Sequence, residues 1–382
     1  MDFAGRLKRI REEMRKRNIG LMFLPPGATL WWAVGLMRDS PDYTDHNAYG
    51  DYTVGAYIGV DDGLTLVLPP RPHGIALEKQ ADGKPWIKEV RVISSNEKPR
   101  EVMVQVVKAM KVRGGVAVDD RAWSSTAILL SKTALGSVIS AAGEITASMR
   151  MIKDQEEVEA MRRAAEITDQ TYAEVVRFLR IGLTPFEVAG EINYQFAKRS
   201  VEYPSIETGV RFTRPGKPRS FTEHGGLGRP LELGDAVTFD FGACYKGYCS
   251  DFGRSCFVGE PPAEYIKTYE TVNRAQGYAV KKMVDGSINA MQLDRIARKV
   301  IEDSGHGDEF VHRLGHGIGV CVHEPPYLYQ PDETILRSGM IITIEPSILL
   351  KQSWSCRIED VVMVTPLGGE YITKYPRELT II

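Results

Sequence analysis

Two aspartates eleven residues apart, Asp240 and Asp251, stand in the largely apolar stretch TFDFGACYKGYCSDF. Three more potential ligands follow in similar settings: His316 in LGHGIG, Glu345 in MIITIEPS and Glu359 in CRIEDVVMV. A carboxylate in an apolar strand is expensive to bury unless something compensates its charge. Four carboxylates and one imidazole form a hard, oxygen-rich donor set, suited to two divalent ions that share bridging oxygens. Taken singly, each motif has a plainer explanation. Acid pairs at any spacing arise by chance among 50 acids, and a lone GHG is commonly a tight turn. Glu345 before Pro346 could simply end a strand, and Glu359 with Asp360 could form a solvated strand edge. Their joint occurrence, in this order and on apolar segments, points to a dinuclear metal site.

The elements that must carry these residues are legible in outline. Asp240 and Asp251 fall in a strand–turn–strand pattern, with Gly242 and Gly247 in the connection. A charged helix begins near Asp154, with Ala, Met, Ile and Val recurring at helical spacing, so one of its faces is buried. A second helix runs from Thr184 to about Arg199, with Pro185 in its first turn. Two more are expected over residues 262–284 and 289–304, followed by the strands of His316, Glu345 and Glu359. The order helix, helix, strands therefore occurs twice and hints at two similar halves. Upstream, apolar runs at 20–26, 52–60, 64–70, 91–95 and 115–120 read as strands, and 3–18, 99–112 and 122–133 read as helices. These make an α/β domain with a mixed sheet, interrupted after its first strand by the polar loop MRDSPDYTDHNAYGDY. The expected boundary lies near Arg150, giving domains of 1–150 and 151–382.

The whole chain narrows the function classes. At 382 residues it is long enough for two or three domains. Its 48 basic residues nearly balance its 50 acidic ones, and no long basic run occurs, which argues against nucleic acid or an anionic membrane as main partner. No apolar run reaches transmembrane length, and the N-terminus reads as an amphipathic helix instead of a signal peptide. The five cysteines, Cys244, Cys249, Cys256, Cys321 and Cys356, match neither a zinc motif nor a disulfide scaffold. They read as small apolar filler around the site, and a reducing cytoplasm is the simplest setting.

The segments DFGACYKGYCSDFGRS, HRLGHGIGVCVHEPP, TIEPSI and RIED resemble the signature segments of the M24 metallopeptidases. That family includes Xaa-Pro aminopeptidases, prolidases and methionine aminopeptidases. MRMIKDQEEVEAMRRAAEI, at 149–167, is similar to the helix that opens the catalytic domain of the Xaa-Pro members. The resemblance implies an α/β (α+β) protein in which a smaller creatinase-like domain precedes a pita-bread catalytic domain. It further implies that Asp240 chelates one metal and His316 the other, with Asp251 and Glu359 bridging. Glu345 would bind the second metal and lie beside the bridging water. Two such ions lower the pKa of a shared water, and the neighbouring carboxylate can pass its proton to a leaving amine. Manganese is the favoured metal, with cobalt, iron or zinc as possible occupants.

His224, His312 and His323 also match positions of the Xaa-Pro branch. By resemblance His312 and His323 contact substrate and stabilise the tetrahedral intermediate, while His224 flanks the specificity side. Arg357, two residues before Glu359, is expected on the same strand face, orienting the carboxylates. His46, His73 and His306 read as ordinary structural histidines. The implied activity is hydrolysis of an Xaa-Pro peptide bond in a small peptide, by a homodimer.

Two stretches depart from the family pattern. IETGVRFTRPGKPRSFTEHGG carries Arg211, Arg214, Lys217 and Arg219 before His224, which suits either an acidic substrate or a solvated loop. The loop at 37–52 raises a second expectation, that Trp31, Trp32, Asp39, Asp42 or His46 approaches substrate in a neighbouring subunit. A metal-dependent hydrolase or lyase on the same fold, acting on a small amide, ectoine-like or sulfonio-carboxylate substrate, is the alternative. A non-catalytic binding protein is a further one, disfavoured by the complete ligand set. Whether a dipeptide or a longer peptide is cut depends on what recognises the C-terminal carboxylate, and no motif decides it.

Overall fold

Three helices begin on reciprocal caps written into the local sequence. Asp154 accepts from the Glu157 amide while the Glu157 side chain returns to the Asp154 amide, opening helix Gln155–Phe178. Thr184 with Glu187 opens Pro185–Lys198, and Asn289 with Gln292 opens Ala290–Glu302. Each box satisfies two amides that a helix start otherwise leaves unpaired. The computed structural model describes residues 1–36, 50–61, 63–69, 72–134, 136–217, 219–222, 228–351 and 353–382. His224, Asp39, Asp42 and His46 lie outside the described residues. The chain divides into two compact units, Met1–Met149 and Arg150–Ile382. Among the described residues no helix is long and apolar enough to cross a membrane.

The first unit is built on a six-stranded mixed sheet in the spatial order Glu89–Val92, Gly63–Leu68, Gly55–Gly59, Ile19–Leu24, Gly115–Val118, Ile139–Ala141. Ile19–Leu24 pairs antiparallel on one side and parallel on the other. Two of its strands stop just before the prolines of LPP, because proline has no amide to continue a ladder. The sequence reading omits helices Ala28–Val34, Pro72–Ala81 and Gly143–Met151 and strand Ile139–Ala141. The first of these helices is seven residues long and almost wholly apolar, so it has no polar face to reveal a helical period. It also corrects one expectation about substrate. Trp32 is a core residue, with Arg6 over its ring at 5.1 Å and donating to its carbonyl oxygen at 3.0 Å. Trp31 packs on Phe3, ring centroids 5.6 Å apart.

The second unit contains two five-stranded sheets. One runs Thr380–Ile381, Phe252–Phe257, Ala236–Phe241, Gly209–Thr213, Ser220–Phe221. The other runs Glu324–Leu328, Gly315–Gly317, Ile341–Ile344, Asp360–Thr365, Gly368–Tyr371. Helices Gln155–Phe178 and Pro185–Lys198 share a core with the first sheet. Helices Ala263–Lys282 and Ala290–Glu302 share one with the second. Each half thus spends two helices covering the apolar face of its sheet.

Candidate metal centre

Strand alternation explains how a carboxylate comes to stand in an apolar segment. In Ala236–Phe241, Val237, Phe239 and Phe241 point into the core, where Tyr172 meets Phe239 edge-on at 5.2 Å. Thr238 and Asp240 must then point to the opposite face, and the Thr238 hydroxyl lies 3.2 Å from that of Ser255. Asp240 is paired across the ladder with Gly253, and Asp251 immediately precedes that partner strand, Phe252–Phe257. One sheet therefore supplies both aspartates.

The other sheet supplies the remaining three candidates. His316 is the centre of strand Gly315–Gly317, Glu345 follows Ile341–Ile344 and Glu359 precedes Asp360–Thr365. The GHG segment is a strand, not a tight turn. Its backbone passes so close to the next strand that a Cβ on Gly315 would stand 1.8 Å from the Thr343 carbonyl oxygen. The two sheets meet at an isolated bridge, where Glu359 donates to the Gly253 carbonyl at 2.8 Å and Gly253 returns a bond at 3.3 Å. A Cβ on Gly253 would be 2.8 Å from Glu359 Oε2 and 2.9 Å from Arg357 Cδ. Only a glycine lets the ligand strands approach this closely.

The five side chains converge. Ligand atoms of His316, Glu345 and Glu359 lie within 4.8 Å of one another, and so do those of Asp240, Asp251 and Glu359. Glu359 belongs to both groups, as a residue shared by two ions would. A third such group is Asp251, His316 and His323. His316 Nε2 lies 3.7 Å from Asp251 Oδ2 and 3.5 Å from Glu345 Oε1. Its Nδ1 lies 3.1 Å from the Gly317 carbonyl, which can only accept, so Nδ1 carries the proton and the Nε2 lone pair faces the acids. Burial, reinforced by His323, holds the His316 pKa well below its usual value and keeps the ring neutral.

The acids are short of positive charge. Burial first, then the charges of Asp240 and Glu345, push the Asp251 carboxyl well above the usual range. Burial and the neighbouring Asp251, Glu345 and Asp240 do the same to Glu359. Burial raises Glu345 to about 7, although Arg357 and Arg313 oppose it. Glu359 Oε2 is buried with no hydrogen-bond partner among the described residues. Such an atom, beside like charges and a correctly presented imidazole, fits a divalent cation.

Arg357 supplies the nearest positive charge. It hydrogen-bonds Asp240, donates through Nε to the Ser347 hydroxyl at 3.1 Å, and lies 3.7 Å from Glu345 Oε2 and 3.8 Å from Glu359 Oε2. Burial alone would lower its pKa, but Asp240, Glu345 and Glu359 together raise it. Behind the cage lies a second polar layer. Arg254 donates to the Glu359 carbonyl at 2.7 Å and pairs with Asp360 at 2.7 Å. The Gln276 side chain donates to Asp360 Oδ2 at 3.0 Å and to the carbonyl of Ile344, the residue before Glu345, at 3.1 Å. Asp360 is fully buried, so the solvated-edge reading of Glu359–Asp360 is wrong. Arg254, Gln276 and Ser347 escape the sequence reading, because nothing local distinguishes them; only the apolar surroundings of Asp360 carried a signal.

The histidines divide. His323 stacks edge-on against His316, ring centroids 4.2 Å apart, and is exposed. His312 Nδ1 lies 2.7 Å from the Arg313 carbonyl, and its Nε2 is buried without a partner among the described residues. Burial, with Arg357 nearby, lowers its pKa to about 4. The basic stretch is mostly tied down: Arg214 pairs with Glu232, Lys217 Nζ lies 3.6 Å from the same carboxylate, and Arg219 donates to the Leu350 carbonyl. Only Arg211 reaches the cage, 3.7 Å from Asp240 Oδ2. The five cysteines are all unbridged, and four of them are buried.

Residues 159–366 match the model of Metallopeptidase family M24. The chain belongs to the M24 metallopeptidase family. It is 38% identical to the Xaa-Pro dipeptidase of Pyrococcus furiosus over 237 residues, 62% of this chain and 67% of that protein. It is 34% identical to the YkvY protein of Bacillus subtilis over 86% of this chain and 89% of that one. The solved structure of a recombinant prolidase from Thermococcus sibiricus superposes with a TM-score of 0.88 at 30% identity, covering 100% of both chains. The second unit accordingly has the pita-bread fold, the smaller unit preceding it is shared with these structures, and the M24 protein is a metallopeptidase whose acids and histidine can bind divalent metal.

Proposed function

We propose that this M24 metallopeptidase hydrolyses Xaa-Pro peptide bonds in small peptides, using two divalent ions held by residues of the second unit. The observation that carries the reading is the pair of three-ligand groups sharing Glu359. Asp240, Asp251 and Glu359 would hold one ion, and His316, Glu345 and Glu359 the other, with Asp251 as a second shared ligand beside His316. The donor set suits manganese, since it is rich in carboxylate and contains a single imidazole. When bound, the ions would lower the pKa of a water and polarise the scissile carbonyl.

The chain's own residues divide the remaining work. Glu345, beside His316 in the cage, takes the proton of the attacking water and returns it to the departing proline nitrogen. His323, exposed beside His316, faces the substrate side and donates to the oxygen on which negative charge develops. His312 has a different part from the one implied by resemblance. With its proton on Nδ1, its Nε2 is an acceptor and suits an N–H of the substrate better than an oxyanion. Arg357 holds Asp240 and keeps three carboxylates at fixed separations. His224 is retained from the resemblance as the residue flanking the specificity side. The acidic-substrate alternative draws little support from Arg214, Lys217 and Arg219, which have partners of their own.

The deciding experiment incubates Mn²⁺-loaded protein with a panel of Xaa-Pro dipeptides and tripeptides and their Xaa-Ala counterparts. Cleavage confined to the proline series is expected. Intact peptides throughout would overturn the reading.

A further inference from the structure

Helix Ala263–Lys282, the turn into strand Gly368–Tyr371 and the segment 374–378 border a cavity of about 700 Å³ within the second unit. None of its lining residues is a metal ligand or a candidate catalytic group. Its volume is in the range of small-molecule sites. Its charge is one-sided, with Lys281, Lys374 and Arg377 set against the single acid Glu378. Among the described residues none of these three cations makes a side-chain hydrogen bond or an ion pair. Lys281 and Lys374 are exposed, and Arg377 is half-buried with its guanidinium 3.9 Å from the centre of the Tyr371 ring. A guanidinium laid on a ring keeps its edge N–H groups available to the oxygens of an anion. Three like charges around one cavity repel one another, and an anion between them reverses the sign of that interaction.

The wall that carries two of the cations is fixed from the interior. Asp169 accepts from the Lys374 amide at 2.6 Å. Arg254 donates to the carbonyls of Tyr375 and Pro376 at 3.0 and 3.3 Å, and the Tyr269 hydroxyl donates to that of Arg377 at 3.1 Å. A segment held this way loses little conformational freedom when a ligand arrives. The helix wall carries a glycine that packing does not require. Gly277 lies well inside Ala263–Lys282, where glycine costs about 1 kcal/mol relative to alanine. A Cβ placed on it meets no atom within 4 Å. No neighbour excludes a side chain there, and the space a longer one would enter is the cavity itself.

We propose that this cavity binds the phosphate group of a small phosphate monoester, with Arg377, Lys374 and Lys281 as its cationic partners. Three cations less one acid leave two positive charges, which a monoester of about −1.5 to −2 near neutral pH balances. The three terminal oxygens of a phosphate accept from several directions at once, as cations on two walls of the cavity demand. The remaining volume takes the organic part of the ester. The site is separate from the metal centre and stands whether or not the Xaa-Pro reading does.

The test titrates adenosine monophosphate, glucose 6-phosphate and inorganic phosphate, with adenosine as the uncharged counterpart, into Mn²⁺-loaded protein by calorimetry. Because a metal centre can itself take a phosphate, Asp251→Ala is titrated beside wild type. At least one of the two esters is expected to bind once per chain, adenosine is not, and Asp251→Ala should bind as wild type does. Arg377→Met should weaken the ester roughly 10- to 100-fold, the worth of a charge-assisted hydrogen bond. Gly277→Leu, which fills the cavity, should remove binding. It should also unfold at a higher temperature than wild type, since leucine is the better helix former, so lost binding is not lost fold. Both esters refused by wild type, an affinity unchanged in Arg377→Met and Gly277→Leu, or binding that disappears in Asp251→Ala would each overturn the proposal.

Discussion

Glu359 and Asp360 are neighbours, equally buried, and they meet the cost of a buried negative charge in opposite ways. Asp360 looks toward the rear layer, where Arg254 and Thr373 donate to Oδ1 at 2.7 Å each and Gln276 donates to Oδ2 at 3.0 Å. Glu359 looks toward the cage, where Oε2 has no hydrogen-bond partner among the described residues and three other carboxylates crowd it. The rear charge is balanced by protein, and the front charge is left for something else to balance. That contrast separates a structural ion pair from a ligand without reference to any relative. It also explains why the rear layer exists: Arg254 and Gln276 grip the backbone at Glu359 and beside Glu345, so the front can stay under-compensated without drifting apart.

The strongest way to break the comparison is to remove a shared ligand. Asp251→Ala or Glu359→Ala is expected to abolish both hydrolysis and the binding of two metal equivalents, read by elemental analysis after dialysis. Two tightly held equivalents of Mn²⁺ in Asp251→Ala would end the bridging assignment.

Next in size is the rear layer. Asp360→Ala leaves Arg254 buried and unpaired, and should cost about 3–5 kcal/mol in urea denaturation of the metal-free protein. Glu359→Gln, tested identically, should cost nothing or stabilise, since it removes one of several like charges. Equal losses from the two substitutions would erase the distinction between front and rear.

The smallest effect sharpens the rear side. Asp169 neighbours Arg254 and Asp360, and burial lifts its carboxyl from 3.8 to about 6 against the opposing pull of the Lys374 and Tyr375 amides. Its pKa is higher folded than unfolded, so the folded state holds the proton more tightly. Its contribution to stability is therefore present at acid pH and lost as pH rises through about 6. Asp169→Asn should raise stability at pH 7 by up to about 2 kcal/mol and flatten the dependence between pH 4 and 7. A variant no more stable than wild type at pH 7 would show that the ionised carboxylate is well accommodated.

How much of this could be read in advance follows from which interactions are local. The caps of Asp154, Thr184 and Asn289 are each complete within four residues, and the helices they open are legible in sequence. Strand alternation around Asp240 is local too. The pairing of Arg254 with Asp360 spans 106 residues, and that of Lys153 with Glu324 spans 171. Such contacts are made by sheet packing, which no window of sequence contains. The seven-residue helix carrying Trp32 is not legible because its sequence, ATLWWAV, is almost wholly apolar and shows no helical period.

Gly253 sits where the ladders of the two sheets touch, with no room for even one methyl group. A side chain at that position would displace Glu359 and Arg357 even in a relative that keeps all five ligands. In this fold a full ligand count is therefore an incomplete criterion for activity. Inheritance of the chemistry runs through a residue that contributes no atom to it.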